Sequence, residues 1–536
     1  MRKKNLFYTF SVLLLLLLTG CREESFENDE TPGLQKNSQI NAKTTSGIYE
    51  SNYPYNLNVV YFIPSDVTAR PEYERRLSEI LLNAQDYYRT NMYNWGYGNR
   101  TFGLLKNPAT NRIKINIVRG AGAMASYNSG AATSQIHSEV MNYFTSHPSD
   151  KTSNHTLIFI ATPSISTPIP YNGFYFGVSR GAIVGDNEAF DLQYINENSP
   201  RGNQVVASMG GFLHELGHGF NLRHDALPKT QETVPGYGTS LMGLGNSTYG
   251  HSSTILTKTS CALLATSEVF ATTPQPANFF YTGNYNFEVT SINHSVDNGV
   301  IHIWGTYTTN GNIAALNSYY NPTHSYFAVS GTDQPKANKT FHSYVAINDL
   351  YLQERPYDFT IAAEFTDGTI KWATFPFTIK NGVPDLNFPV NTAGWAVSSS
   401  SQYSAYPASL AIDGDINTYW HTNYTAGSVQ TDPIPGQPQQ FPYYYDIDMA
   451  SAKWILGASF IQHQGLVRTA KQIQVFTRPN TSSGWEHQGN FNLSNTTPKQ
   501  YAQFAAYRYA RYIRIVFYSS YDGQPYVAMP EIGIYQ

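Results

Sequence analysis

Charge is scarce in this sequence. Lys, Arg, Asp and Glu make up only 13% of the 536 residues and leave a net charge of −4, which gives no electrostatic case for nucleic acid, and none is expected as a partner. Cysteine is scarcer still, with Cys21 and Cys261 alone. Long apolar runs are missing except for "FSVLLLLLLTG" near the N-terminus, which is too short to span a membrane comfortably. There is no convincing internal repeat. What is present is 41% hydrophobic residues with 41 Tyr and 40 Gly, a globular composition that favours β-rich modules because tyrosine suits half-buried strand faces. The length exceeds one ordinary core and suggests three domains.

Arg2, Lys3 and Lys4 ahead of the apolar run form the basic start of a signal peptide over residues 1–20. "LLTGC" resembles a bacterial lipobox, which implies that Cys21 carries lipid and that the chain is anchored on the outer membrane or cell surface, facing outward. The acidic "REESFENDE" that follows resembles the surface-export signal of Bacteroidetes lipoproteins, or is simply a solvated tether; residues 21–46 read as that tether. With Cys21 acylated no internal disulfide can form, so the fold must rest on its cores. Cys261, in the expected helix "TKTSCALLATSEVF", reads as a buried small hydrophobe.

Residues 47–270 alternate between strand and helix patterns. "NLNVVYFIP", "RIKINIVRG" and "HTLIFIAT" read as strands, "RPEYERRLSEILLNAQDYYRTNMYNWG" and "TSQIHSEVMNYFTSH" as helices, and "GAIVG" as a short edge strand. That order predicts an α/β sheet covered by helices. Residues 275–384 lose the helical signal; runs such as "YNFEVTSINHS", "GVIHIWGTYTT" and "HSYFAVSG" predict an Ig-like β-sandwich acting as a spacer. Residues 389–536 are again all strand, with a core of their own.

The chemistry concentrates in "HELGHGFNLRHD". Residues four apart on a helix lie one above the other, so His214 and His218 present both imidazoles on one face, while Glu215 sits about 100° away, near enough to bind a water without ligating a metal. Two neutral nitrogens for Zn²⁺ and a glutamate general base follow from this spacing. His224 would complete the ligand set if the chain turns after the helix. Asn221 stands where that turn needs a left-handed residue, for which asparagine is second only to glycine; Gly219 offers to share the distortion. Ala207 and Gly211 are expected to leave room for substrate on the ligand face. The H-E-x-x-H pair also resembles the gluzincin zinc peptidases, whose third ligand is a glutamate on a later helix, and that resemblance implies Glu268 in "LLATSEVF" as the alternative third ligand.

"HELGHGFNLRH" resembles the metzincin zinc peptidases, whose pattern is H-E-x-x-H-x-x-G-x-x-H followed by a methionine turn; the resemblance spans roughly residues 50–270 and departs from the pattern at Asn221. It implies that His214, His218 and His224 hold one catalytic zinc, that Glu215 is the base, and that Met242 in "GTSLMGLGN" lies beneath the site. The family's further tyrosine has no clear equivalent, Tyr249 being too distant, and Asp225 is expected to brace the turn. No cysteine lies between the lipobox and this region, which excludes a thiolate that blocks the zinc in a pro-form. By the same resemblance an extended substrate would pair with the edge strand near "RGAIVG".

"SQYSAYPASLAIDGDINTYWHT", "AYRYARYIRIVFYSS" and "MPEIGIY" resemble the discoidin, or coagulation-factor type-C, module, a galactose-binding-like jelly roll. The resemblance implies a carbohydrate-binding module and a structural Ca²⁺ at Asp413, Asp415, Thr418 and Glu531, or else a hydrogen-bonded turn without an ion. His421, Tyr424, Arg468 and Trp485 are candidate sugar contacts by chemistry, and Trp420 and Trp454 candidate core. The expected whole is a surface zinc endopeptidase acting on proteins or mucin-like glycoproteins. The contrasting expectation is a non-catalytic glycan-binding adhesin with a structural or vestigial zinc site.

Overall fold

The computed structural model describes residues 45–127, 132–162, 174–187, 190–323, 325–423 and 436–536. The expected signal peptide, Cys21 and almost all of the tether lie outside the described residues, as does Tyr424. Among the described residues no helix is long and apolar enough to cross a membrane. The chain divides into two compact units. Of the described residues, the first holds those up to Glu288 with Ser295–Trp304 and Thr308–Thr374, and the second holds those of Val289–His294, Gly305–Tyr307 and Phe375–Gln536.

The first unit begins with an α/β layer. Strand β1 (Asn58–Ile63), helix α1 (Tyr73–Asn94), strand β2 (Asn116–Arg119), helix α2 (Ala132–Ser146) and strands β3 (Thr156–Ala161), β4 (Tyr175–Val178) and β5 (Gly181–Asp186) precede helix α3 (Pro200–Gly219). The sheet order is β2-β1-β3-β5-β4, parallel except for the antiparallel β4. β1 and β3 are buried at every position, because helices cover both faces of a parallel sheet and continuous apolar runs are what such strands require. One face presents Val59, Tyr61, Leu157 and Phe159 to α1 and α3; the other presents Val60, Phe62, Ile158 and Ile160 to Ile136, Val140 and Phe144 of α2.

Two expectations need correction here. "GAIVG" is β5 and lies inside the sheet, because the four-residue β4 pairs along its outer side and becomes the terminal strand. The run "RIKINIVRG" is broken: Arg112–Ile113 joins a small separate sheet and only Asn116–Arg119 joins the main one.

After α3, a π-turn at Leu241–Gly245 and helix α4 (Lys258–Thr266) lead to strands β6 (Phe287–Asp297), β7 (Val300–Thr309), β8 (Ile313–Pro322), β9 (Val329–Asp333), β10 (Thr340–Ala346), β11 (Pro356–Phe365), β12 (Ile370–Lys380) and β13 (Val383–Asp385). They form sheets ordered β6-β7-β10 and β9-β8-β11-β12-β13. β8 has no counterpart in the sequence reading, and "HSYFAVSG" yields a strand only from Val329 onward.

The second unit carries a sheet of β14 (Ala396–Ser399), β15 (Tyr443–Ile461), β16 (Ala470–Arg478), β17 (Glu486–Asn492), β18 (Gln500–Ser520) and β19 (Glu531–Tyr535), ordered β14-β15-β18-β16-β17 with β19 beside β15. Trp420 is fully buried in its core. Trp454 is only half-buried, against Tyr509, because it lies on the outward phase of β15 next to the inward Ile455.

Candidate metal centre

Helix α3 is fixed at both ends. Pro200 occupies its first turn, and the Ser199 hydroxyl accepts a hydrogen bond from the Gly202 amide, the usual device for satisfying the free donors of a helix start. At the other end Asn221 has φ 70°, the left-handed conformation, while Gly219 remains helical. The Leu222 amide donates to the Gly217 carbonyl at 3.0 Å and the Asn221 amide to the His218 carbonyl at 2.8 Å. This pair of bonds is a Schellman cap, which ends a helix and reverses the chain in one residue. His155 adds a bond between its Nδ1 and the Gly219 carbonyl at 2.9 Å.

The reversal delivers His224 to the other two histidines. His218 Nε2 lies 3.2 Å from His214 Nε2 and 3.1 Å from His224 Nε2. Two nitrogens each about 2.0–2.1 Å from a tetrahedral ion are about 3.3 Å apart, so these separations fit zinc. The tautomers fit as well: His214 Nδ1 faces the Leu241 carbonyl at 2.7 Å and His218 Nδ1 the Leu222 carbonyl at 2.9 Å. With the proton on Nδ1, each Nε2 lone pair points inward. Burial holds His214 down to about 3 and His218 down to about 4, and pulls His224 well below its ordinary value. All three imidazoles are therefore neutral at pH 7, the form in which they can ligate. Among the described residues this is the one group of three such side chains close enough to share an ion.

Glu215 is buried, 5% exposed, one residue beyond His214. Beneath the helix lies Met242, fully buried on the π-turn. A Cβ on Gly217 would stand 2.5 Å from the Met242 sulfur, and a Cβ on Gly177 of β4 would stand 2.3 Å from the Glu215 carbonyl oxygen. These glycines let the turn and the terminal strand close on helix α3, and for Gly217 that packing offsets its low helix propensity. Gly211 does the same for the Tyr175 ring, 2.9 Å from where its Cβ would stand; the space expected there for substrate is taken by that ring.

Asp225 braces the turn. Its buried carboxylate accepts bonds from Ser240 Oγ at 2.6 Å, Thr257 Oγ1 at 2.5 Å and Ser260 Oγ at 2.8 Å. It thereby ties the segment after His224 to the π-turn and to the start of α4; burial raises its pKa while the three hydroxyls lower it. Glu268 does not join the histidines: its carboxylate accepts from the Asn154 amide at 2.7 Å, and burial pushes its pKa up to about 7. Tyr249 lies against Tyr87 and bonds Asn83. Sequence reasoning missed Tyr326, whose ring centroid is 4.2 Å from that of His224.

In the second unit Asp413 accepts from Thr418 Oγ1 at 2.7 Å and from the Asp415 amide at 2.9 Å, and Glu531 of β19 reaches the same loop by accepting from the Gly414 amide at 2.9 Å. The Asp415 carboxylate accepts from the backbone and side-chain amides of Asn417. Glu531 is pushed up to about 7, chiefly by burial and further by Asp413. Of the candidate sugar contacts, His421 is buried with Nδ1 on the Thr422 carbonyl, and Arg468 pairs with Asp522 and faces Tyr526. Trp485 stands between the guanidiniums of Arg478 and Arg514.

Residues 396–532 match the F5/8 type C domain family. Among solved structures the chain is similar to OgpA from Akkermansia muciniphila. A catalytically inactive form in complex with an O-glycopeptide (glycodrosocin) substrate is 32% identical, with 60% of this chain and 93% of that chain covered at a TM-score of 0.55. A wild-type form is 31% identical, with 66% and 97% covered at the same TM-score. A stretch of 157 residues is 29% identical to galactose oxidase of Gibberella zeae, covering 27% of this chain and 20% of that protein, so the chain spans about a fifth of the curated relative it matches. At 31–32% identity over 93–97% of OgpA, the chain belongs to the family of OgpA.

Proposed function

We propose that this chain is a zinc-dependent endopeptidase of the metzincin type that hydrolyses peptide bonds in O-glycosylated proteins, with its F5/8 type C module binding the glycans of the same substrates. The observation that carries this reading is the convergence of His214, His218 and His224 Nε2 atoms with Glu215 on the same helix. Kinship with OgpA, seen with an O-glycopeptide substrate, supports the substrate class. Zinc, when bound, supplies Lewis acidity that polarises a carbonyl and activates water. The protein's part is then proton management. Glu215 takes a proton from the attacking water and gives it to the leaving amine, and its burial keeps that exchange away from bulk solvent. The terminal strand β4, held against α3 at Gly177, is where an extended substrate would add a strand.

Two further readings complete the proposal. The loop of Asp413, Asp415, Thr418 and Glu531 takes Ca²⁺, the crowding of Asp413 and Glu531 carboxylates being what a hard cation relieves. Cys21 is lipid-anchored, placing the enzyme on the outer membrane or cell surface.

The test is a matched pair of substrates: a mucin-domain protein bearing O-glycans and the same protein stripped of them. Cleavage of the glycosylated form at least tenfold faster is the expected result. Equal cleavage of both would contradict the substrate class, and cleavage of neither would favour a non-catalytic glycan-binding role.

A further inference from the structure

We infer that Tyr326 is a positioning residue for the third metal ligand, so that the sandwich sheets following the peptidase fold are a working part of the metal centre rather than a spacer. This rests on the zinc reading above and deepens it.

The three histidines are not held alike. His214 and His218 each have Nδ1 against a backbone carbonyl. His224 has no such bond among the described residues; its neighbour is the Tyr326 ring, 4.2 Å between centroids at an interplanar angle of 56°. A ligand on a loop without a hydrogen bond to its second nitrogen needs another restraint, since ring rotation would move Nε2 away from the ion. A half-buried aromatic ring packed on the imidazole supplies it.

Tyr326 is itself fixed relative to that loop. The Ala226 amide donates to the Ala328 carbonyl at 2.7 Å, the Ser330 amide donates to the Ala226 carbonyl at 3.3 Å, and Ala226 and Val329 form a parallel bridge. Phe327 stacks on Tyr351, whose hydroxyl donates to the Leu227 carbonyl at 3.2 Å. On the near side of the ligand, the Arg223 guanidinium lies 4.4 Å over Trp372 of β12. The loop carrying His224 is thus gripped before and after the ligand by residues that come after the peptidase fold, and the ring on the ligand comes from the same source.

The experiment compares the parent chain with Tyr326→Phe and Tyr326→Ala by zinc competition against a chromogenic chelator, with the Co²⁺-substituted visible spectrum as a second readout. Thermal unfolding of the metal-free proteins checks the fold. The Phe variant keeps the ring and is expected to hold zinc within about twofold of the parent. The Ala variant is expected to lose affinity by about 10–100-fold, the range for residues that orient a ligand, and to change the Co²⁺ spectrum. An Ala variant that binds zinc like the parent would overturn the inference and leave the zinc reading intact; a Phe variant as weak as Ala would overturn the role of the ring. A parent that binds no zinc would overturn both readings.

Discussion

At the scale of single residues the convergence of the three histidines was largely legible, because its logic is local. His214, Glu215 and His218 are placed by helical periodicity, and His224 is placed by one backbone conformation at Asn221, φ 70°. That residue supports a definite expectation. Asn221→Gly should leave zinc affinity unchanged and stability within about 1 kcal/mol, since glycine adopts this conformation without strain. Asn221→Ala should destabilise by about 1 kcal/mol and weaken zinc binding, because Cβ disfavours the left-handed region and the cap would relax. Thermal unfolding and chelator competition on the two variants measure both effects; an alanine variant indistinguishable from glycine would mean that the turn does not set the ligand. Tyr326 was not legible, since no periodicity connects it to a histidine in another fold region. It sits in a run with strand-like alternation that the structure resolves as a loop before β9.

At the scale of elements, strands that are buried on both faces were easy to see and strands that depend on their surroundings were not. β1 and β3 are continuous apolar runs. β8 is nearly as buried, yet its sequence mixes Asn317 and Ser318 with tyrosines; Asn317 is tolerated because it bonds Glu364 and Thr332 inside the fold. β4 is too short to carry a signal and is placed by pairing with β5 and packing on α3.

The Asp413–Thr418 loop is an element whose chemistry shifts with pH. Glu531 has a folded pKa near 7, above its ordinary value, so the stability it contributes is complete at low pH and is lost as pH rises through 7. Calcium should offset that loss. The gain in melting temperature of the C-terminal module on adding Ca²⁺ is expected to be larger at pH 8 than at pH 5.5, and to vanish in Asp413→Asn. A calcium response of equal size at both pH values, or one that survives that substitution, would argue for a hydrogen-bonded turn without an ion.

At the scale of the whole molecule, the C-terminal F5/8 type C domain was legible in its motifs and agrees with the family match over residues 396–532. What composition did not reveal is that β8, β9, β11 and the start of β12 share one compact unit with the α/β layer that carries the histidines. Interfaces between modules are built from contacts distant in sequence, such as Ala226 with Ala328 and Tyr351 with Leu227, and these leave no local trace.

The most direct test of the central claim is the zinc content of the purified parent chain and of Glu215→Gln, measured alongside cleavage of an O-glycosylated substrate. The account predicts one zinc per chain in both proteins, with cleavage in the variant reduced by at least about 10²-fold, the lower end of what a general base contributes. A metal-free parent, or a variant that cleaves as fast as the parent, would contradict it.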